Sequence, residues 1–387
     1  MEVELKNIEV KSSEEFPKDW EISEVREFAK VQTGSKDTQE KIEGGKYPFF
    51  VRSNTIESIN TYSYDGEAIL TAGDGVGVGK VYHYINGKFD FHQRVYSIYG
   101  FSEKALGIYF YHFFSQHFYK RVYRLSAKNS VDSVRMEMIS KMKIPLPPIS
   151  EQKKISAILS TWDQSIEKTQ QLIEQLELRK KGLMQELLTG KKRLPGFDGE
   201  WKELKAGKLF ENNSNKNHNG EFEVLSATQD KGVIPRSEVG IDIKYDKSSL
   251  KSYKKVDAGD FVISLRSFQG GIEYSSYTGL VSPAYTVLKE KLPIAKKFYL
   301  EYLKSGNFIN RLNSIIYGIR DGKQISYKEF SSLKLWYPPF EEQKAIASVF
   351  TEADKEFNLQ IEHLKSLKAQ KKGLMQQLLT GKKRVSH

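Results

Sequence analysis

Apolar residues recur in steps of four and three along two stretches of the chain. The first stretch comprises Ile155, Leu159, Trp162, Ile166, Ile173 and Leu176, and the second comprises Ile346, Phe350, Phe357, Leu364 and Leu367. This heptad spacing is typical of a long amphipathic helix whose apolar stripe packs against another helix. We therefore predict two long helices, each roughly 55–60 Å in length at 1.5 Å per residue.

The two predicted helices belong to an internal repeat. Residues 147–194 recur at 338–385 without insertion or deletion, and KKGLMQELLTGKKR in the first copy becomes KKGLMQQLLTGKKR in the second. Each copy opens with two prolines; in the first, Ser150 is a plausible N-cap and Gly190 a C-terminal glycine. An internal repeat fixes the architecture before any local assignment, and here it predicts a molecule of two halves.

Repeated modules that pack through the same surface are related by a pseudo-twofold axis, so we expect the two helices to run antiparallel. The same symmetry predicts that the chain after Arg384 ends near Phe16 to Trp20, because the first copy leads directly into the similar segment from Gly196 to Trp201. In the alternative arrangement each helix packs on its own domain.

The segments between the helices read as mixtures of short strands and helices. In the first, Tyr47–Ser53 and Gly66–Ile85 resemble strands and hairpins, and Ala105–Arg124 has helical length with its phenylalanines near one face. The second repeats this plan, with a strand near Ala258–Gly271 and a helical run at Ala295–Asn310. We predict an α+β protein in which two globular domains, 1–146 and 195–337, are separated by antiparallel coiled-coil helices at 147–194 and 338–387.

Composition narrows the function. The 387 residues include no cysteine, which excludes thiolate metal sites and cysteine nucleophiles. The N-terminus does not resemble a signal peptide and no apolar run reaches the length of a membrane span, so we expect a soluble, cytoplasmic protein. The net charge of +11 favours a polyanionic partner such as nucleic acid, although many proteins are basic without binding one.

Three patterns resemble chemical motifs and fail on detail. Gly73–Lys80 looks like a phosphate-binding loop, but Asp74 stands where the motif needs its first glycine, and Val81 follows the lysine where Ser or Thr is required. A hairpin turn, or a loop that approaches DNA closely, is favoured. Tyr337–Phe340 resembles the motif of amino-group methyltransferases without its amide or carboxylate, and marks a helix start. His112 and His117 lack metal-ligand spacing. We therefore expect no catalysis by this chain alone.

Gly182 and Gly373 occupy equivalent positions inside the two helices, where glycine costs about 1 kcal/mol relative to alanine. This repeated cost suggests a close approach by the other helix or by another subunit, although a tolerated kink inherited by duplication is the alternative. We predict two equivalent docking sites for one kind of partner, formed by Gly182, Leu183 and Met184 and by Gly373, Leu374 and Met375, and continuing into an exposed Leu187–Leu188 face.

These features together resemble the specificity (S) subunit of type I restriction–modification systems. The resemblance rests on PLPPISEQKKISAIL (Pro145–Leu159), YPPFEEQKAIASVF (Tyr337–Phe350), both KKGLMQ…LLTGKKR endings and PGFDGEW (Pro195–Trp201), and it covers the whole chain. It implies two target recognition domains that each read half of a bipartite double-stranded DNA sequence. It also implies partners: two methylation (M) subunits that carry S-adenosylmethionine, and restriction (R) subunits that use ATP and Mg, with no cofactor on this chain.

If the chain reads DNA, arginine and amide side chains on irregular segments are the candidates for base contacts, and lysines for phosphates. The candidates are Arg52, Lys80, His92, Gln93 and Arg94 in the first domain, and Arg236, Arg266, Gln269, Arg320 and Lys323 in the second. Each of them is as readily an ordinary solvated residue. The alternative function is a non-catalytic assembly scaffold whose basic domains bind RNA or protein.

Overall fold

A computed structural model describes residues 16–126, 133–240, 247–314 and 325–385. It divides into two compact units, one formed by Met1–Gln170 with Glu362–His387 and the other by Gln171–Ile361. The predicted segments follow one another along the chain, whereas the boundaries of the units cut across both long helices. Each unit thus joins one globular domain to a segment of each helix.

Before the first long helix, the first unit contains eight strands and three short or medium α-helices among its described residues. The strands are β1 (Glu21–Glu24), β2 (Lys30–Thr33), β3 (Tyr47–Phe50), β4 (Ile56–Ile59), β5 (Tyr64–Ala72), β6 (Tyr82–Phe91), β7 (Val95–Tyr99) and β8 (Lys143–Leu146). The helices are α1 (Val25–Phe28), α2 (Gly107–Leu125) and α3 (Met136–Ser140), and the first long helix, α4 (Ile149–Leu187), begins after β8.

Strand β5 is central in a six-stranded sheet of order β2-β7-β5-β6-β3-β4. Its second half, AILTA, is buried throughout, as expected for a strand covered on both faces. Helix α2 packs there through Phe110, Phe113, Phe114 and Phe118, each at most 1% exposed. Burial of one such ring stabilises the fold by about 1.5–3 kcal/mol. The predicted hairpin, the predicted helix and its core role are confirmed.

The second unit follows the same order with a more divided sheet. Its strands are β9 (Lys202–Lys205), β10 (Phe210–Asn212), β11 (Leu225–Thr228), β12 (Gly232–Pro235), β13 (Lys254–Val256), β14 (Phe261–Ile263), β15 (Glu273–Tyr274), β16 (Gly279–Val281), β17 (Thr286–Glu290) and β18 (Lys334–Tyr337). Its helices are α5 (Ala206–Leu209), α6 (Ser267–Gly270), α7 (Lys296–Tyr302), α8 (Gly306–Ser314) and α9 (Tyr327–Ser332), followed by the second long helix, α10 (Phe340–Leu378).

A four-stranded sheet of order β10-β17-β14-β15 forms the centre of the second unit. Helix α7 lies against it with Phe298 and Tyr299 fully buried. The single helix predicted over Ala295–Asn310 is wrong, because the chain breaks between α7 and α8. There the Ser305 hydroxyl accepts a hydrogen bond from the Phe308 amide at 3.3 Å and starts the new helix.

Both long helices are 39 residues long, and each ends three residues before a glycine. Gly190 and Gly381 lie just beyond the last helical turns, and both have a φ of +69°. The prediction of Gly190 as the C-terminal glycine of the first long helix is confirmed. The N-cap prediction is wrong: α4 begins at Ile149, which places Ser150 inside the first turn. Every predicted seam residue of both helices is buried or half-buried.

The helix segments run antiparallel within each unit. In the first unit, Asp163 of α4 pairs with Lys371 of α10, and Glu151, earlier in α4, pairs with Arg384 beyond α10. The second unit repeats these pairs 191 residues away as Asp354–Lys180 and Glu342–Arg193.

The start of each helix also packs on the domain that precedes it. Ile155 and Leu159 lie in the core of the first unit, and Ile346 and Phe350 lie in that of the second. The sequence left open whether the helices pair with each other or pack on their own domains, and the structure contains both kinds of contact.

The chain ends where the repeat predicted. Arg384 donates to both carboxylate oxygens of Asp19, at 2.9 and 2.6 Å, and its guanidinium lies 5.9 Å from the centre of the Trp20 ring. Gly381 packs against Pro17 so closely that a Cβ would approach its ring to 2.5 Å. The C-terminal segment of the repeat thus closes onto the first domain's lead-in.

Candidate nucleic-acid interface

The glycine-rich segment Gly73–Lys80 connects β5 to β6 in the first unit. Asp74 on this segment accepts hydrogen bonds from Arg52 at 2.8 Å and from Arg94 at 2.5 Å. Arg52 follows β3 and Arg94 precedes β7, so three separate connections of the sheet meet at one carboxylate. Two of the predicted DNA-binding residues are thereby brought together.

Asp74 holds the two guanidinium groups without neutralising them. Partial burial acts to raise its pKa, but the hydrogen bonds from Arg52 and Arg94 outweigh burial and leave the pKa below its ordinary value. The carboxylate therefore remains charged at neutral pH. Arg52 and Arg94 keep 45% and 63% of their side chains exposed. Two cations against one anion leave a net positive, oriented surface that can donate hydrogen bonds to an acceptor.

Three further candidates lie around this pair. Lys80 is exposed at the end of the glycine segment. Gln93 is exposed and donates to Asp37 at 3.3 Å. His92 is only 3% exposed, and its Nδ1 accepts from the Arg94 backbone N–H at 2.9 Å. Burial, and then the charge of Arg52, lower the pKa of His92. In this position its ring supports the Arg94 backbone and does not reach a ligand.

The glycine segment is poorly suited to bind a nucleotide phosphate. The amides of Val78, Lys80 and Val81 already donate to the carbonyls of Gly75 and Gly77 within the turn, at 3.0–3.1 Å. A phosphate-binding loop needs such amides free. The geometry favours the hairpin connection over the nucleotide site.

The second unit presents amide groups where the first presents a pair of arginines. Arg266 and Gln269 are exposed on the connection that follows β14, around the short helix α6. The Gln269 side chain accepts from that of Gln229 at 3.2 Å, on the turn between β11 and β12. Arg236 is half-buried and donates to the Ser226 hydroxyl at 3.3 Å. Arg320 and Lys323 lie outside the described residues.

Two residues of these surfaces, Asp74 and Gln229, were not predicted from the sequence as binding residues. Asp74 appeared there only as a mismatch to a nucleotide-binding motif, and its partners lie 22 and 20 residues away. Gln229 adjoins an Asp–Lys–Gly turn (Asp230–Gly232), a signal that could have directed attention to it.

The predicted partner-docking residues divide into exposed and covered groups. Gly182 is exposed and Gly373 is half-buried, and a Cβ at either would meet no atom within 4 Å among the described residues. The close approach they suggested is therefore not made by the other helix. Leu183, Met184 and Leu374 are half-buried, and Met375 is 7% exposed.

The leucine face predicted to be exposed is not, because Leu187 and Leu188 are 2% and 1% exposed in the second unit's core. This part of the docking prediction is wrong: the second globular domain already covers these side chains. In the helices of the described ranges, none combines the length and apolar character needed to cross a membrane.

The fold and these surfaces define a protein of two repeated halves, in which each globular domain carries an exposed polar surface and packs on a pair of helix segments. The chain belongs to the family described as the type I restriction modification DNA specificity domain, whose model matches residues 17–178 and again residues 199–369. It is a specificity subunit of a type I restriction–modification system, and DNA target recognition is the role of this family.

Relatives and solved structures agree with this assignment. The chain is 27% identical to the MjaX type I restriction enzyme specificity subunit of Methanocaldococcus jannaschii, over 96% of this chain and 95% of the relative. It is 30% identical to the Escherichia coli EcoDI specificity subunit over 46% of this chain and 39% of that protein. The crystal structure of an S subunit from M. genitalium superposes with a TM-score of 0.62 at 16% identity, covering 96% and 98% of the two chains, and shows the same fold.

Proposed function

We propose that this chain reads a bipartite, asymmetric DNA target, with one half-site contacted by each unit. The observation that carries the proposal is the pair of unlike polar surfaces on equivalent connections after β5 and β14. The first presents Arg52 and Arg94 around Asp74, and the second presents Arg266 and Gln269. Unlike side chains at equivalent places recognise unlike base sequences, which makes the target asymmetric.

The chemistry of each surface suits base edges in the major groove. Arginine donates two hydrogen bonds to guanine, and glutamine pairs with adenine. The bond between Gln229 and Gln269 orients one amide through the other, and Asp74 orients both arginines. Side chains held before binding lose less rotational freedom when they reach a base. Lys80, without such orientation, suits a phosphate oxygen.

We further propose that α4 and α10, each one continuous helix, set the length of the unread spacer between the half-sites. The surfaces around Gly182 and Gly373 would bind two methylation subunits, and restriction subunits would join through the assembled complex. This chain would then be non-catalytic. Adenine N6 methylation with S-adenosylmethionine, and DNA cleavage with ATP and Mg, would reside on those partners. Open space at both glycines supports this assignment.

The test is selection of bound duplexes from a randomised library by the full-length chain assembled with its methylation subunits. We expect two short preferred segments separated by a fixed unread gap. Arg94→Ala should erase preference in one segment only, and Arg266→Ala in the other only. A single continuous site would overturn the bipartite proposal. Unchanged DNA affinity in both variants would favour a scaffold whose basic domains bind RNA or protein.

A further inference from the structure

Val76 projects from the tip of the glycine segment in the first unit. It exposes 94% of its surface, more than any other large apolar residue among those described. Exposure of an aliphatic side chain to water is unfavourable. Burying its apolar surface in a complex stabilises that complex by about 25 cal/mol per Å². A position this prominent therefore suits a contact made in a complex.

The backbone around Val76 is fixed by its neighbours. Gly77 lies so close to the Arg52 carbonyl that a Cβ would approach it to 2.4 Å, and Gly79 has φ of +64° with a Cβ position 2.6 Å from the Tyr119 ring. The Val78 amide closes the turn by donating to the Gly75 carbonyl at 3.1 Å. Only glycine fits at these two positions. The segment thus presents Val76 in a set place.

The surroundings of Val76 indicate which kind of partner would cover it. Asp74, two residues earlier, carries the Arg52 and Arg94 guanidinium groups, so the apolar tip is flanked by oriented hydrogen-bond donors and by Lys80. An apolar group beside such donors matches the major-groove edge of DNA, where guanine offers two acceptors and thymine offers a C5 methyl group. A protein partner that buried Val76 would also have to provide hydrogen-bond acceptors for Arg52 and Arg94.

The second unit has an aliphatic residue in the corresponding place. Leu265 follows β14 as the glycine segment follows β5, is 50% exposed, and stands next to Arg266. An exposed aliphatic side chain beside an arginine thus recurs on unrelated sequences within one chain.

We propose that Val76 is a specificity-determining residue that contacts the C5 methyl group of one thymine in the first unit's half-site. This inference rests on the proposed DNA reading by that unit and adds the base it selects at one position. Arg52 and Arg94 then bind acceptors on adjacent base pairs or phosphates, and Asp74 fixes their spacing from the valine.

The test compares wild-type and Val76→Ala full-length chain, assembled with methylation subunits, on the duplex that wild type selects. Each thymine of that duplex is replaced in turn by deoxyuridine, which lacks only the C5 methyl. At one thymine we expect wild type to lose affinity roughly three- to fivefold, the effect of one buried methyl group. Val76→Ala should show no loss at that same position. Ile56→Ala, which shortens another exposed aliphatic residue of the unit, should keep the wild-type response.

Each outcome has a distinct meaning. Equal sensitivity to deoxyuridine in wild type and Val76→Ala at every thymine overturns the contact. A loss of affinity in Val76→Ala that ignores the methyl group also overturns it, and indicates that the side chain wedges between base steps. If wild type selects no sequence at all, the proposed DNA reading itself fails, which the selection step reveals before any thymine is replaced.

Discussion

Arg384 binds Glu151 through two parallel hydrogen bonds, although 233 residues separate them. Nε and Nη2 each lie 2.8 Å from a carboxylate oxygen, and the Trp20 indole donates to the same carboxylate at 3.2 Å. In the second unit Arg193, Glu342 and Trp201 form the same three-residue cluster. Each cluster joins the lead-in of a domain, the start of one long helix and the end of the other.

We predict that Arg384→Ala destabilises the first unit by about 1–3 kcal/mol. Glu151 is 3% exposed, so the variant leaves a buried carboxylate that loses both arginine hydrogen bonds and keeps the one from the Trp20 indole. The arginine itself is 41% exposed, and solvent screening keeps the effect below that of a fully buried pair. Urea unfolding of the full-length chain measures the loss.

The neighbouring exposed Lys382 supplies the control, since Lys382→Ala should change stability by less than about 0.5 kcal/mol. Arg193→Ala should act on the second unit as Arg384→Ala acts on the first. An Arg384 variant as stable as the Lys382 control would show that the cluster is not a structural clamp.

Much of this architecture was visible in the repeat. Glu151, Asp163 and Arg193 recur unchanged as Glu342, Asp354 and Arg384, and these identical positions are the ones that pair across the helices in both units. Heptad spacing predicted the helices because a buried stripe must recur every three or four residues. The indole contacts and the Asp163–Lys371 pairing could not be read, since they depend on how distant segments pack.

The interface was less predictable. Residue type singled out Arg52 and Arg94, but their common partner Asp74 emerged only because the fold brings together the segments after β3, after β5 and before β7. Burial separated His92 from its exposed neighbours, and a sequence holds no measure of that. The break after α7 depended on Ser305 capping α8, a local competition that helical periodicity did not register.

Acid should destabilise the first unit through His112. Its ring is fully buried, its nitrogens have no hydrogen-bond partner among the described residues, and burial, aided by the charge of Lys371, lowers its pKa to about 3. Asp163, 3.8 Å away, would favour the protonated ring, but that carboxylate is already engaged by Lys371.

The folded-state pKa of His112 lies below its unfolded value of about 6.5, so stability is present above pH 6.5 and is lost as pH falls toward 3. Lowering the pH from about 7.5 to 5.5 should cost about 1.4 kcal/mol at this site. We expect His112→Phe to lose less stability over this interval, by that amount, in urea unfolding at the two pH values. Other buried histidines contribute equally to both proteins. Identical pH dependence in wild type and His112→Phe would contradict the assignment.

Replacing Gly182 or Gly373 with alanine should raise the folding stability of the isolated chain and weaken its binding to methylation subunits. Each lies inside a helix with open space around a new Cβ, so the variant gains about 0.4–1 kcal/mol of stability. A methylation subunit that approaches the glycine closely would meet the added methyl group and bind less tightly. Unfolding of the isolated chain and titration with methylation subunits measure the two effects.

Gln185→Ala, an exposed change one turn further along α4, should leave binding unchanged. A Gly182 variant that binds as tightly as wild type would remove this face from the docking surface.

Lys80 and Arg94 should differ in what they contribute to DNA binding. Lys80 is exposed at the end of the glycine segment, and as a phosphate contact it is insensitive to base sequence. We expect Lys80→Ala to weaken binding equally on all duplexes and to reduce the slope of log affinity against log salt by about 1, because one fewer counterion is released. Arg94→Ala should instead relax base preference within one half-site.

Lys46→Ala provides the matched control. This exposed lysine precedes β3, whereas Arg52 follows β3 at the opposite end of the strand. A Lys80 variant with an unchanged salt slope, or one that alters the preferred sequence, would show that this lysine does not contact phosphate.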